Sequence, residues 1–155
     1  MLTKKEIVDA LRNDEFIFFY QPKISLVTGK VYGAEALIRL AKPDGSVIGP
    51  DSFIPVAEQS SLIKDITRHM FRKLVSDLLV LRDIEPISLS FNASAKDFED
   101  DTFTKMVLES LEKFKLSADS LQVELTETAA LEAGDRSGLA ISDSPLSVSL
   151  AQPKP

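Results

Sequence analysis

The sequence predicts an α/β fold: a parallel sheet assembled from strand–helix–strand units, opening on an antiparallel pair of strands. Three observations carry this. Apolar residues alternate in the stretches 31–40, 87–92 and 121–127, the period of strands with two unlike faces. Segments with apolar residues at helical spacing lie between those stretches, and strands separated by helices pair in parallel through right-handed crossovers. Finally, Thr28-Gly29-Lys30 punctuates two β-prone runs closely enough to join them as a hairpin.

Taken in order, Thr3-Lys4-Lys5-Glu6 has the capping-box pattern and starts a short helix with Ile7, Ala10 and Leu11 on one side, ending near Asn13. The run Phe16 to Tyr20 is almost continuously apolar, which suits a strand buried on both faces. After the turn, Val31 to Leu40 places Glu35, Leu37 and Arg39 on one face and Ala34, Ala36 and Ile38 on the other. Pro43-Asp44-Gly45-Ser46 is a second turn, and Asp51 or Ser52 is suited to cap a short helix after it. A longer helix is expected over 61–82, with Ile63, Ile66, Met70, Phe71, Leu74 and Leu78 as its core stripe. His69 and Met70 read as structural there, because neither has a ligand partner one helical turn away.

In the next strand Ile87, Leu89 and Phe91 share one face, and Ser88, Ser90 and Asn92 the other. Phe103, Met106, Val107, Leu111 and Phe114 then recur at helical spacing. The last clear strand sets Gln122, Glu124 and Thr126 together. Glu35, Asn92 and Glu124 are each expected toward the C-terminal end of a strand, where a β/α barrel opens into its active-site mouth. All three are oxygen donors, suited to magnesium or manganese and not to zinc. The plain alternative is an edge strand whose charged residues face water.

Composition narrows the classes. The 155 residues, 44% hydrophobic, suffice for one domain with a core. There is no cysteine and only one histidine, which excludes disulfides, thiolate metal sites and a histidine-rich zinc site. A net charge of −6 argues against a nucleic-acid polymer as partner. With no apolar run near the ~20 residues of a membrane span and no signal-peptide pattern, the cytoplasm is the expected location.

Several segments now resemble, in the right order, the EAL-domain family of cyclic di-GMP phosphodiesterases. They are Tyr20-Gln21-Pro22, Glu35-Ala36-Leu37 with Arg39, Phe53 to Glu58, Phe91-Asn92-Ala93-Ser94 and Val123 to Glu127. The resemblance covers about residues 3 to 131. It implies a partial, truncated TIM-like β/α barrel, the N-terminal half of such a domain. It further implies Glu35, Asn92 and Glu124 as ligands of Mg2+ or Mn2+, and Gln21, Leu37 and Arg39 as residues lining the cyclic di-GMP cleft. Glu127 would steady a loop. The implied reaction is metal-assisted attack of water on one phosphodiester bond, giving the linear dinucleotide.

The family's later paired-aspartate, lysine, glutamate and glutamine motifs are absent from this sequence, so the expectation is a catalytically incomplete chain. A non-catalytic cyclic di-GMP receptor and a structural or interaction fragment are the alternatives. Residues 132–155 are expected to be an atypical flexible tail, with 147–150 able to add an edge strand, and a frameshift or premature stop would account for the junction. Open half-barrel edges predict a homo-oligomer. Serine at 61, where the family usually has glycine, matters only if that position is left-handed.

Overall fold

The structure, a computed structural model, describes residues 1–125 and the backbone of Ser147–Val148. Glu127 and, apart from Ser147–Val148, the expected tail 132–155 lie outside the described residues. Helix α1 (Lys4–Arg12) begins as the sequence predicts: Thr3 Oγ1 accepts from the Glu6 amide at 3.2 Å, and Glu6 accepts from the Thr3 amide at 2.7 Å. Strands β1 (Phe16–Ile24) and β2 (Val31–Ala41) form the antiparallel hairpin. A two-residue strand, β3 (Val47–Ile48), folds back on β2. A 3-10 turn at Pro50–Ser52 and the short α2 (Ile54–Glu58) lead into α3 (Leu62–Leu81). Then follow β4 (Ser88–Ala93), α4 (Thr102–Lys113) and β5 (Leu121–Leu125).

Strands β2, β4 and β5 run parallel, each reached from the last through a helix. Along the sheet the order is β1-β2-β4-β5, continued by the antiparallel pair β6 (Ser147–Val148). The core lies between one face of this sheet and the helices. Ala34, Ala36 and Leu40 of β2, Leu89 and Phe91 of β4, and Val123 and Leu125 of β5 are all buried there. Phe71 of α3 meets Phe91 edge-on at 6.0 Å and Phe103 of α4 at 5.6 Å, a geometry aromatic quadrupoles favour. Small Ala34 and Ala36 on β2 leave room for these large rings.

Four expectations need correction or closure. Strand β1 is not buried on both faces: it is a sheet edge, Phe16 alone is fully buried, and Phe19 is 48% exposed. Phe16, Phe18 and Tyr20 share the face that packs on the core, whereas Phe19 points to the other face. Neither Asp51 nor Ser52 makes a side-chain cap; Gly49 and Phe53 hold the two cap positions, and the Ser52 carbonyl accepts from the Leu2 amide at 2.7 Å. Ser61 has a φ of −70°, so replacing glycine there costs no left-handed strain. His69 Nε2 donates to the Asp14 carboxylate at 2.8 Å, beside Lys73 at 2.6 Å from the same oxygen. Both pin the α1–β1 turn to α3, the structural role expected of His69.

Candidate functional site

Strand register decides what the helix-free face of the sheet carries. Gln21 pairs with Glu35, Glu35 with Ser90, and Ser90 with Gln122; two residues further on, Asn92 pairs with Glu124. Directly paired residues point to the same face, so polar side chains from four strands converge. The edge-strand alternative for residues 31–40 therefore fails, because β2 sits between β1 and β4. Glu35 also lies mid-strand in β2 and not toward its C-terminal end; the hairpin extends β2 past the point where its pairing with β4 stops, at Ala36.

Asn92 Nδ2 donates to Glu35 Oε1 at 3.1 Å, the direct contact between two of the three sequence-predicted ligands. Glu124 stands beside Asn92 in register, and its Oε1 lies 3.6 Å from Lys23 Nζ. Among the described residues no three acidic, histidine or cysteine side chains form a metal cluster. The donor set on offer is instead two carboxylates and one amide, all hard oxygen ligands. Such a donor set is chemically compatible with a hard divalent cation.

Next to this group a cleft of about 400 Å3 is lined by Leu37, Arg39, Asp51, Ile54, Glu58 and Asn92, among others. It contains Leu37 and Arg39 as the sequence predicts, whereas Gln21, Glu35 and Glu124 stand outside its lining. Arg39 Nη1 donates to the Ile38 carbonyl at 2.9 Å, and its guanidinium lies 5.8 Å from the centroid of the Phe19 ring. No carboxylate among the described residues pairs with Arg39, which leaves donors of its planar fork for an anion. The second wall, Asp51, Ile54 and Glu58, escaped the sequence reading. The family-like block Phe53 to Glu58 was its one available signal.

Just beyond Asn92, Asp97 is buried, and its Oδ2 accepts from Thr67 Oγ1 and from the Ser94 amide, each at 2.9 Å. Burial pushes its carboxyl up to about 6, with the two hydrogen bonds pulling the other way. This acid also went unnoticed in the sequence, where an aspartate before an acidic run reads as solvated.

Parallel β/α units, with a polar face made by four strands and an arginine-bearing cleft between β2, α2 and the end of β4, define part of a TIM-like barrel. The chain belongs to the EAL domain family, which it matches over residues 4–141. It is 35% identical over 125 residues to the signaling protein YkoW of Bacillus subtilis, covering 80% of this chain and 16% of that protein. It is 32% identical over 120 residues to the probable cyclic di-GMP phosphodiesterase PdeB of Escherichia coli, covering 77% and 23%. Among solved structures, the PaMucR phosphodiesterase in complex with c-di-GMP superposes with a TM-score of 0.74 at 28% identity, covering 84% of this chain and 54% of that one. The EAL enzyme Bd1971 with cAMP and cyclic-di-GMP bound gives 0.75 at 27% identity, covering 83% and 37%. The chain thus spans a quarter or less of these two relatives and about half of the PaMucR chain.

Among the described residues no helix is long and apolar enough to cross a membrane.

Proposed function

We propose that this chain is the messenger- and metal-binding part of a cyclic di-GMP phosphodiesterase, and that it binds cyclic di-GMP without completing the hydrolysis by itself. The observation that carries this reading is the Asn92–Glu35 contact at 3.1 Å beside the cleft that holds Leu37 and Arg39. Glu35, Asn92 and Glu124 would hold Mg2+ or Mn2+. Arg39 would take a phosphate oxygen through its fork. Leu37 would give a base an apolar wall, and Gln21 would reach the ligand from β1.

When bound, the metal would supply Lewis-acid polarisation of the phosphodiester and a more acidic water. The chain's own contribution is to fix ligand and anion geometry on a rigid sheet. The paired-aspartate and lysine motifs of the family are absent from the 155 residues, which is the ground for expecting binding with little turnover. The test is hydrolysis of cyclic di-GMP with Mg2+ or Mn2+, run beside a calorimetric titration. Binding without product supports the reading. Turnover that Glu35→Ala abolishes would refute the incomplete-site part, and absence of both binding and turnover would leave a structural or interaction fragment.

Self-association belongs to the same proposal. Among the described residues the nine-residue β1 pairs with β2 alone, and a sheet edge of this kind is a template for a second copy. Light scattering at micromolar concentration should show a dimer or larger species; a clean monomer would count against it.

A further inference from the structure

The side chain that the functional reading leaves unused is Lys23, and it sits in the middle of the polar face. Its Nζ donates to Ser90 Oγ at 2.6 Å and lies 3.6 Å from Glu124 Oε1. Ser90 is buried beneath it at 1% exposure and in turn lies 3.4 Å from Gln122 Oε1. Lys23 belongs to β1 and Glu124 to β5, with β2 and β4 between them. In a flat sheet three strand spacings separate those backbones by about 14 Å, so the contact depends on the sheet curling toward a barrel.

The path is open because Lys23 pairs with Gly33 on β2. A residue with a side chain at 33 would stand on the same face, between the lysine and its partners. The side chains of Lys23 and Glu124 are only 28% and 22% exposed. The pair is therefore partly shielded from solvent and less screened than a fully exposed one.

We propose that Lys23 is a built-in counter-cation for Glu124, holding that carboxylate in place and competing with a divalent ion for it. The proposal rests on the reading of Glu35, Asn92 and Glu124 as the metal ligands. Its consequence is specific. An ammonium and a divalent cation beside one carboxylate repel each other, so metal entry disfavours the Lys23–Glu124 contact and pushes the ammonium away from Glu124. Lys23 is thus a positioning residue that weakens metal binding while stabilising the metal-free chain.

The experiment is a titration of the full chain with Mn2+, followed by calorimetry and by the electron paramagnetic resonance signal of free Mn2+, with melting curves in chelator and in excess Mn2+. The variants are Lys23→Met, Lys23→Arg and Glu124→Gln, with Lys23→Gln in reserve should the methionine variant fail to fold. Lys23→Met is expected to bind Mn2+ about tenfold more tightly, the scale of one lost competing charge interaction. It should melt lower than the unmodified chain in chelator and recover in Mn2+, and Lys23→Arg should stay close to the unmodified chain. Equal or weaker Mn2+ binding by Lys23→Met overturns the proposal alone, provided the unmodified chain binds Mn2+ and Glu124→Gln does not. Failure of every variant and of the unmodified chain to bind Mn2+ overturns both the proposal and the ligand assignment.

Discussion

The Asp97 carboxylate and the Thr67 hydroxyl meet at 2.9 Å in the buried space between α3 and the turn after β4. The same carboxylate oxygen accepts from the Ser94 amide, two residues past Asn92. A helix that packs the core is thereby fastened to the strand end that carries a candidate ligand.

Stability should carry the signature of this acid. Its folded value of about 6 lies above the ordinary 3.8, so the folded chain holds this proton more tightly than the unfolded chain. Its contribution is fully present below about pH 4 and is lost as pH rises through about 6, on the order of 3 kcal/mol at most. Asp97→Asn keeps an acceptor and removes the titration. The difference in unfolding free energy between the two proteins, from urea denaturation at several pH values, should therefore shift in the variant's favour between pH 4 and 7. A pH-independent difference would rule out this burial effect.

Tyr20 of β1 donates its hydroxyl to Asp77 of α3, one tie between the edge hairpin and that helix beside the Lys73 donation to the Phe16 carbonyl. Burial, followed by the neighbouring carboxylate, pushes the phenol well above its usual range, so it stays a donor at all ordinary pH. Tyr20→Phe should cost about 1.5–3 kcal/mol, the usual range for a hydrogen bond to a charged group. Chemical denaturation measures this directly.

Gly33 faces Ser88 across the parallel β2–β4 pair, and a Cβ there would come within 2.8 Å of the Ser88 carbonyl oxygen. Backbone is the obstacle, and backbone in a paired sheet yields poorly. Gly33→Ala should destabilise by about 1–3 kcal/mol, the range for overpacking, and a lowered melting temperature with an unchanged circular dichroism spectrum would show it.

Arg39 has no acidic partner among the described residues and borders the cleft. Under the proposed function, Arg39→Ala should weaken cyclic di-GMP binding about 10- to 100-fold, the worth of a charged hydrogen bond. Arg39→Lys should restore only part of it, because an ammonium lacks the planar fork. Calorimetry at two salt concentrations tests both, and equal affinities across the three proteins would remove Arg39 from the site.

What the sequence by itself determined was periodic. Alternation assigned Glu35, Leu37 and Arg39 to one face of their strand, and Asn92 and Glu124 to polar faces of theirs. Helical spacing marked Ile63, Met70, Phe71 and Leu74 as core, and Thr3 and Glu6 announced the first helix. Each of these is a property of residues near one another along the chain. Only the tertiary structure decided which strands are neighbours and in what register. It made β1 an edge and left Phe19 exposed, brought Asn92 against Glu35, buried Asp97 under Thr67, and laid Lys23 across Gly33 to reach Glu124. Those outcomes join residues thirty to a hundred positions apart. They depend on sheet order and curl, which local periodicity does not encode.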